Sequence, residues 1–151
     1  MITHRIVQGL DDLRTARDIR YHVFVREQQV PLVLEVDARD EKAVHVLLCA
    51  DGQPIGTGRL LSDPHQDHIC HLGRVALLRA WRGRGYGAAL MRALAAEVDH
   101  VVPRGERPRV LALSAQCYAI GFYEKLGYRL TETPRYLDAG IWHRDLRKEI
   151  D

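Results

Sequence analysis

From Arg74 to Leu94 the chain reads RVALLRAWRGRGYGAALMRAL. Its first residues are apolar enough for a strand, three arginines and three glycines then fall within the nine residues Arg79 to Gly87, and a helical apolar pattern follows. A strand that breaks on glycines into a helix restricts the possible folds more than any other feature of this chain. Glycines let the backbone approach a ligand and take positive φ, while the free N–H groups and dipole of a first helical turn attract negative charge. The break therefore predicts a phosphate cradle built on Arg82, Gly83, Arg84, Gly85, Tyr86 and Gly87. A tight turn flanked by solvated arginines accounts for the same residues, so the motif has to be weighed with its neighbours.

Around the break the chain alternates strand and helix signals. His4 to Val7 suit a short strand, and Leu13, Ala16, Ile19 or Arg20, Val23 and Phe24 recur at helical spacing behind Asp11 and Asp12, which predicts a helix of about four turns. Glu27 to Lys42 hold Pro31 and a dense set of acids. AVHVLLCA, DGQP and IGTGRLL read as strand, turn and strand, since Asp-Gly between apolar runs is a strong hairpin signal. HICHLGRVALL is a long strand, Leu90, Met91, Leu94, Ala95 and Val98 mark the helix after the break, and RVLALS is a buried strand. A shorter helix through Ala119, Phe122, Tyr123 and Leu126 stops at Gly127, and YRLTE and IWHRDL close the chain as strands. This order, without repeats or linkers, predicts one mixed α/β (α+β) domain over residues 1–151, a central, mostly antiparallel twisted sheet flanked by helices.

Composition removes several function classes. A net charge of +2 on 151 residues is too small for a nucleic-acid footprint, despite Arg104, Arg107 and Arg109, so no nucleic acid is expected as partner. No apolar run nears the roughly 18 residues that span a bilayer, and MITHRIVQGLDD lacks a signal-peptide core, so we expect no membrane and a cytoplasmic location. Cys49, Cys70 and Cys117 are odd in number and set in apolar surroundings, which suits reduced thiols better than disulfides.

Three phosphate ligands compete for the cradle. Gly83 to Ala88 formally match the dinucleotide fingerprint, but that motif opens a parallel βαβ unit with an acid about 20 residues on that holds ribose, and RVLALSAQ ends without one. A P-loop needs Gly-Lys-Ser/Thr, which is absent at the turn. The remaining ligand is the pyrophosphate of coenzyme A. Here the chain resembles the GNAT superfamily of acetyl-CoA-dependent N-acyltransferases. The family's Arg or Gln, two residues, Gly, one residue, Gly or Ala is met by Arg82, Gly85 and Gly87 after a strand ending Val75-Ala76-Leu77. Phe122-Tyr-Glu-Lys-Leu-Gly-Tyr128 resembles its second cofactor-side motif. Val23 to His45 are similar to a small bacterial subgroup, and also, with Arg59 to Leu61, to acyl-homoserine lactone synthases, which are usually longer and lack the Arg-Gly turn.

The resemblance implies acetyl transfer from acetyl-CoA to a primary amine by direct attack, with no metal. The backbone amides of Arg82 to Gly87 would hold the pyrophosphate, Arg82 and Arg84 adding charge. Val75 and Leu77 would pair with the pantetheine arm like another strand, and an N–H there would polarise the acetyl carbonyl. Gln116 stands where many members place an Asn that bonds the arm. Tyr123 would protonate the leaving thiolate, since a phenol is protonated at neutral pH. Five residues before Ala76, where histone-type members carry a glutamate, stands His71, whose residue type suits accepting the amine's proton. Strand alternation puts His71 on the face of Val75 and Leu77. His45 and Glu35 are weaker candidates for the base.

His65 to His71 hold three His, one Cys and one Asp, yet alternation separates His68 and Cys70 from His71, and no longer-range ligand is evident, so no metal is expected. Cys117 follows Gln116, but direct transfer needs no thiol nucleophile. Glu27, Glu35, Asp37, Asp40 and Glu41, against Arg26, Arg39 and Lys42, lie in the segment that in this superfamily borders the acceptor pocket. Their surplus of acid predicts a cationic amine, small-molecule or protein, unless it is solvated surface. The protein would act as a monomer or homodimer. A non-catalytic acyl-CoA-binding or regulatory module is the alternative reading, against which Tyr123 speaks.

Overall fold

In the computed structural model, which describes residues 1–151, one sheet is built from β1 Ile2–Ile6, β2 Val44–Ala50, β3 Gln53–Ser62, β4 Ile69–Leu77, β5 Val110–Gln116, β6 Arg129–Leu130, β7 Tyr136–Asp138 and β8 Ile141–Glu149. The strand order is β1-β2-β3-β4-β5-β8-β6, β7 also pairs with β8, and β4–β5 is the one parallel pair. The helices are α1 Gly9–Arg20, α2 Leu32–Glu35, α3 Tyr86–Ala96 and α4 Ile120–Lys125. None is long and apolar enough to cross a membrane.

Local chemistry explains most of these elements. Asp51 and Gly52 take φ of 48° and 82°, the doubly positive turn that matches the twist of two antiparallel strands. Asp11 and Asp12 lie in the first turn of α1, where the helix dipole favours them. This helix runs past the expected four turns, because α1 continues into a π-helical stretch, Tyr21–Glu27. Two short pieces went unseen in the sequence: α2 and a 3₁₀ helix, Ala38–Lys42, are each too short to display a period. The expected strand YRLTE shrinks to β6, and β7 is an additional strand whose hairpin to β8 turns at Ala139 and Gly140, φ 51° and 77°.

The two faces of the sheet are covered unequally. On one, α3 and α4 close over the main core, which includes Leu60, Leu72, Leu90, Leu94, Leu111 and Leu146. Each such side chain contributes roughly 1.5–3 kcal/mol by leaving water. Gly58 lets α3 lie this close, since a Cβ there would stand 2.7 Å from Leu94 Cδ1. On the other face Ala16, Ile19 and Val23 pack on Leu47 and Ala76, so α1 and its extension cover β2 to β4. That face of β5 and β8 forms the floor of a cleft instead.

A bulge in β4 decides what faces the cleft. Gly73 pairs with Arg59 and Ala76 with Thr57, so Arg74 and Val75 together oppose Gly58, and Arg74 takes φ 49°. The extra residue inverts the alternation beyond it. His71, Gly73 and Ala76 therefore share the α1 face, whereas Leu72, Val75 and Leu77 belong to the α3 face, where they pack on the main core. The expected grouping of His71 with Val75 and Leu77 is thus corrected. The bulge also ends the parallel pairing: Ile69–Leu72 pair with Val110–Leu113, and past that point β4 bonds only to β3 and β5 only to β8.

Candidate active site

Where β4 and β5 part, a cleft of about 840 Å³ opens. Val75 lines it from β4, Ser114, Ala115 and Gln116 from β5, Tyr123 from α4, and His143 from β8. His71 lines it from below the bulge, whereas Ala76 is 2% exposed beneath α1 and does not.

The predicted cradle lies just past the end of β4. After a 3₁₀ turn, Arg79–Trp81, the chain reaches Gly85, whose φ of 84° disfavours any residue with a Cβ, and α3 starts at Tyr86. The N–H groups of Gly83, Arg84 and Gly85 make no backbone hydrogen bond, and the first intrahelical bond nearby runs from Ala89 N to Gly85 O at 3.3 Å. A row of N–H groups is therefore free for an anion. Gly87 serves close approach, for a Cβ there would stand 3.2 Å from Phe122 Cζ, and this brings the start of α3 against α4.

Side-chain charge contributes less to the cradle than the sequence suggests. Arg82 is held by Glu27, with Nη1–Oε2 at 2.8 Å, and donates from Nε to Leu77 O at 2.9 Å. Arg84 stacks over the ring of Trp81, 5.5 Å from its centroid, and that ring tilts against Tyr86. The groups left without partners at the break are the backbone amides.

Two groups in the cleft suit proton transfer. The Tyr123 hydroxyl has no hydrogen-bond partner in the protein, its ring leans edge-on against Phe122 and Tyr128, and burial pushes its pKa up to about 12. His71 stands 2.7 Å from Asp63, Nε2 to Oδ2. A carboxylate can only accept, so Nε2 donates and Nδ1 is the ring nitrogen left without a protein partner. Asp63 is held at about 2, chiefly by His71 and by the N–H groups of His65 and Gln66 at 2.8 and 2.9 Å. Sequence reasoning missed Asp63; its signal was Asp-Pro in a turn, a carboxylate that caps its own loop.

A third group was also missed. His143 donates from Nδ1 to Ile141 O at 2.7 Å, and its ring lines the cleft. Next to it Tyr136 stacks on His143 and donates to Asp145 Oδ1 at 2.6 Å, with Ser114 bonded to the same phenol.

The remaining candidates are otherwise engaged. Gln116 donates from Nε2 to Gln28 Oε1 at 2.6 Å, which ties β5 to the end of the π-helical stretch. His45 is buried and bonds Asp40 O at 3.0 Å, and Glu35 accepts from Arg20 Nε at 2.5 Å. Cys70 is sealed in the core, its thiol pushed up to about 12 by burial, while Cys117 is half-buried. No three His, Cys, Asp or Glu side chains converge on a metal position.

The acidic segment, too, differs from expectation. Asp40 accepts from Arg20 and Arg59 at 2.8 Å each, Asp37 from Arg59 at 2.8 Å and from Arg74 at 3.1 Å, and Glu35 from Arg20. With Glu27 on Arg82, four of the five acids are paired with arginines, and Glu41 is left exposed. The sequence shows the acids in one run but not the arginines that the fold delivers from α1, β3 and β4.

Known proteins are similar to this chain in sequence and fold. The family model described as "Acetyltransferase (GNAT) family" matches residues 10–128. The uncharacterized N-acetyltransferase YjcF of Bacillus subtilis is 32% identical over 144 residues, covering 95% of this chain and 97% of its own. Among solved structures, an acyl-CoA N-acyltransferase from Pseudomonas aeruginosa is 28% identical with a TM-score of 0.81, covering 98% of both chains. A GNAT family acetyltransferase from Elizabethkingia anophelis with acetyl-CoA bound shares the fold, with 14% identity, a TM-score of 0.67 and 99% and 98% of the two chains covered.

Proposed function

The chain belongs to the acetyltransferase (GNAT) family, and from that premise we propose that it transfers an acetyl group from acetyl-CoA to a primary amine, small-molecule or protein, by direct attack within a ternary complex. Bound acetyl-CoA supplies the acyl group as an activated thioester. The free N–H groups of Gly83 to Gly85 and the first turn of α3 fit its pyrophosphate, and the edge of β4 at Val75 and Leu77, which no longer pairs with β5, fits the amides of its arm, the Leu77 carbonyl being engaged by Arg82 Nε. Gln116 reaches the same opening, although its amide is shared with Gln28.

The chemistry falls to two side chains. His71 Nδ1 accepts a proton from the attacking amine while Asp63 keeps the ring oriented; the amine nitrogen bonds the acyl carbon as the carbon–sulfur bond breaks. Tyr123 gives its phenolic proton to the departing sulfur and recovers one from solvent. The observation that carries this reading is the unpartnered Tyr123 hydroxyl placed at the opening between β4 and β5. A single catalytic domain over residues 1–151, in the cytoplasm as monomer or homodimer, completes the proposal.

The test is thiol release from acetyl-CoA across an amine panel, with Tyr123→Phe as control. Turnover that falls on removal of the phenol supports it. Coenzyme A binding with no turnover of any amine, unchanged in Tyr123→Phe, turns the protein into a non-catalytic acyl-CoA-binding module.

A further inference from the structure

The 3₁₀ helix Ala38–Lys42 has two faces of opposite charge. A 3₁₀ helix turns once every three residues, so side chains at i and i+3 lie above one another. Asp40 within the helix, with Asp37 at its N-cap, turns inward onto Arg59. Arg39 and Lys42, also three apart, line the cleft, and neither has a carboxylate within salt-bridge distance. Glu35, Asp37 and Asp40 are held by Arg20, Arg59 and Arg74, Glu41 is exposed and does not line the cleft, and Asp138 is the one cleft-lining acid outside these pairs.

From this we propose that the acceptor is an amine that also carries an anionic group, carboxylate or phosphate, seated between Arg39 and Lys42 while its amine extends toward His71 and Tyr123. The inference deepens the transferase reading and rests on it for the direction of the amine. The sign is opposite to what the acid-rich segment suggests in sequence, because pairing inside the fold neutralises Glu35, Asp37 and Asp40 and leaves Arg39 and Lys42 facing the cleft against Asp138 alone. Behind them Arg20, Arg59 and Arg74 are balanced by the three acids they hold, Glu35, Asp37 and Asp40. A double cation at the mouth would draw an anionic acceptor in and fix which end enters first.

The experiment compares ω-amino acids of increasing length, the alkylamines and α,ω-diamines of matching length, and 2-aminoethyl phosphate. Binding to the protein–coenzyme A complex is measured by calorimetry and turnover by thiol release. An anion-bearing amine should bind at least about tenfold more tightly than its uncharged-tail match, and Arg39→Ala/Lys42→Ala should abolish that advantage. Arg39→Glu/Lys42→Glu should move the preference to the diamines. The phosphate arm against the carboxylate arms identifies which anion is favoured. Equal binding across the matched sets, or a preference that survives loss of both cations, overturns the inference and leaves the transferase reading intact. Cation-dependent binding without turnover of any amine does the reverse.

Discussion

Asp63 Oδ2 accepts the Nε2 proton of His71 at 2.7 Å, joining the turn after β3 to the floor of the cleft and leaving Nδ1 as the free nitrogen of that ring. If this pair takes the amine's proton, Asp63→Asn lowers kcat by about 10- to 100-fold with the Km for acetyl-CoA unchanged, because tautomer and orientation are lost together. The double variant with His71→Ala should be no worse than His71→Ala alone, since the two act as a unit. Additive losses in steady-state kinetics would mean that Asp63 acts elsewhere.

Tyr123→Phe keeps the ring and its contacts and removes the acid, so kcat should fall by about 10²-fold while acetyl-CoA affinity, measured by calorimetry, stays within about twofold. Burial holds the phenol at about 12, so the donor remains protonated well beyond the ordinary phenol range. The pH–rate profile should therefore show no alkaline limb from Tyr123 up to about pH 10.

Asp37 is depressed from 3.8 to about 2, first by its bond from Arg59. A carboxyl whose folded value lies below its unfolded one stabilises fully above the unfolded value and loses that contribution as pH falls through the folded one. Stability should drop between about pH 4 and pH 2, with Asp40 shifted in the same direction. Asp37→Asn should cost about 1–2 kcal/mol at pH 7 and almost nothing near pH 2, read from urea midpoints at the two pH values.

Gly87→Ala places a methyl 3.2 Å from Phe122 Cζ and pushes the start of α3 away from α4. Because the free amides and Tyr123 ride on these two helices, the Km for acetyl-CoA should rise about 3- to 10-fold with a loss of about 1 kcal/mol in stability. Wild-type kinetics in this variant would show that the helices tolerate the shift.

Ala139 takes φ 51° at the first position of the β7–β8 turn. Asn tolerates that region better, so Ala139→Asn should gain about 0.5–1 kcal/mol and raise Tm by about 1–4 °C by calorimetry.

The legible part of the sequence was its local chemistry. Strand, glycine break and helix from Arg74 to Leu94 could be read because each is a short-range pattern, and the Asp51-Gly52 turn because Asp-Gly is its usual signal. The Ala139-Gly140 turn escaped because Ala is a rare occupant of a positive-φ position. Tyr123 could be placed from its motif, whereas Asp63 and His143 gain meaning only from partners fixed by the strand register.

The sequence by itself determined the order of the longer elements, the amide-rich break and the phenol that follows, since these depend on neighbours a few residues apart. Tertiary structure decided the rest. One extra residue in β4 put His71 on the opposite face from Val75 and parted β4 from β5. Arginines brought from α1, β3 and β4 neutralised an acidic segment that in sequence looked free, and left Arg39 and Lys42 facing the cleft. Charge and facing are sums over space, so residues distant along the chain set them.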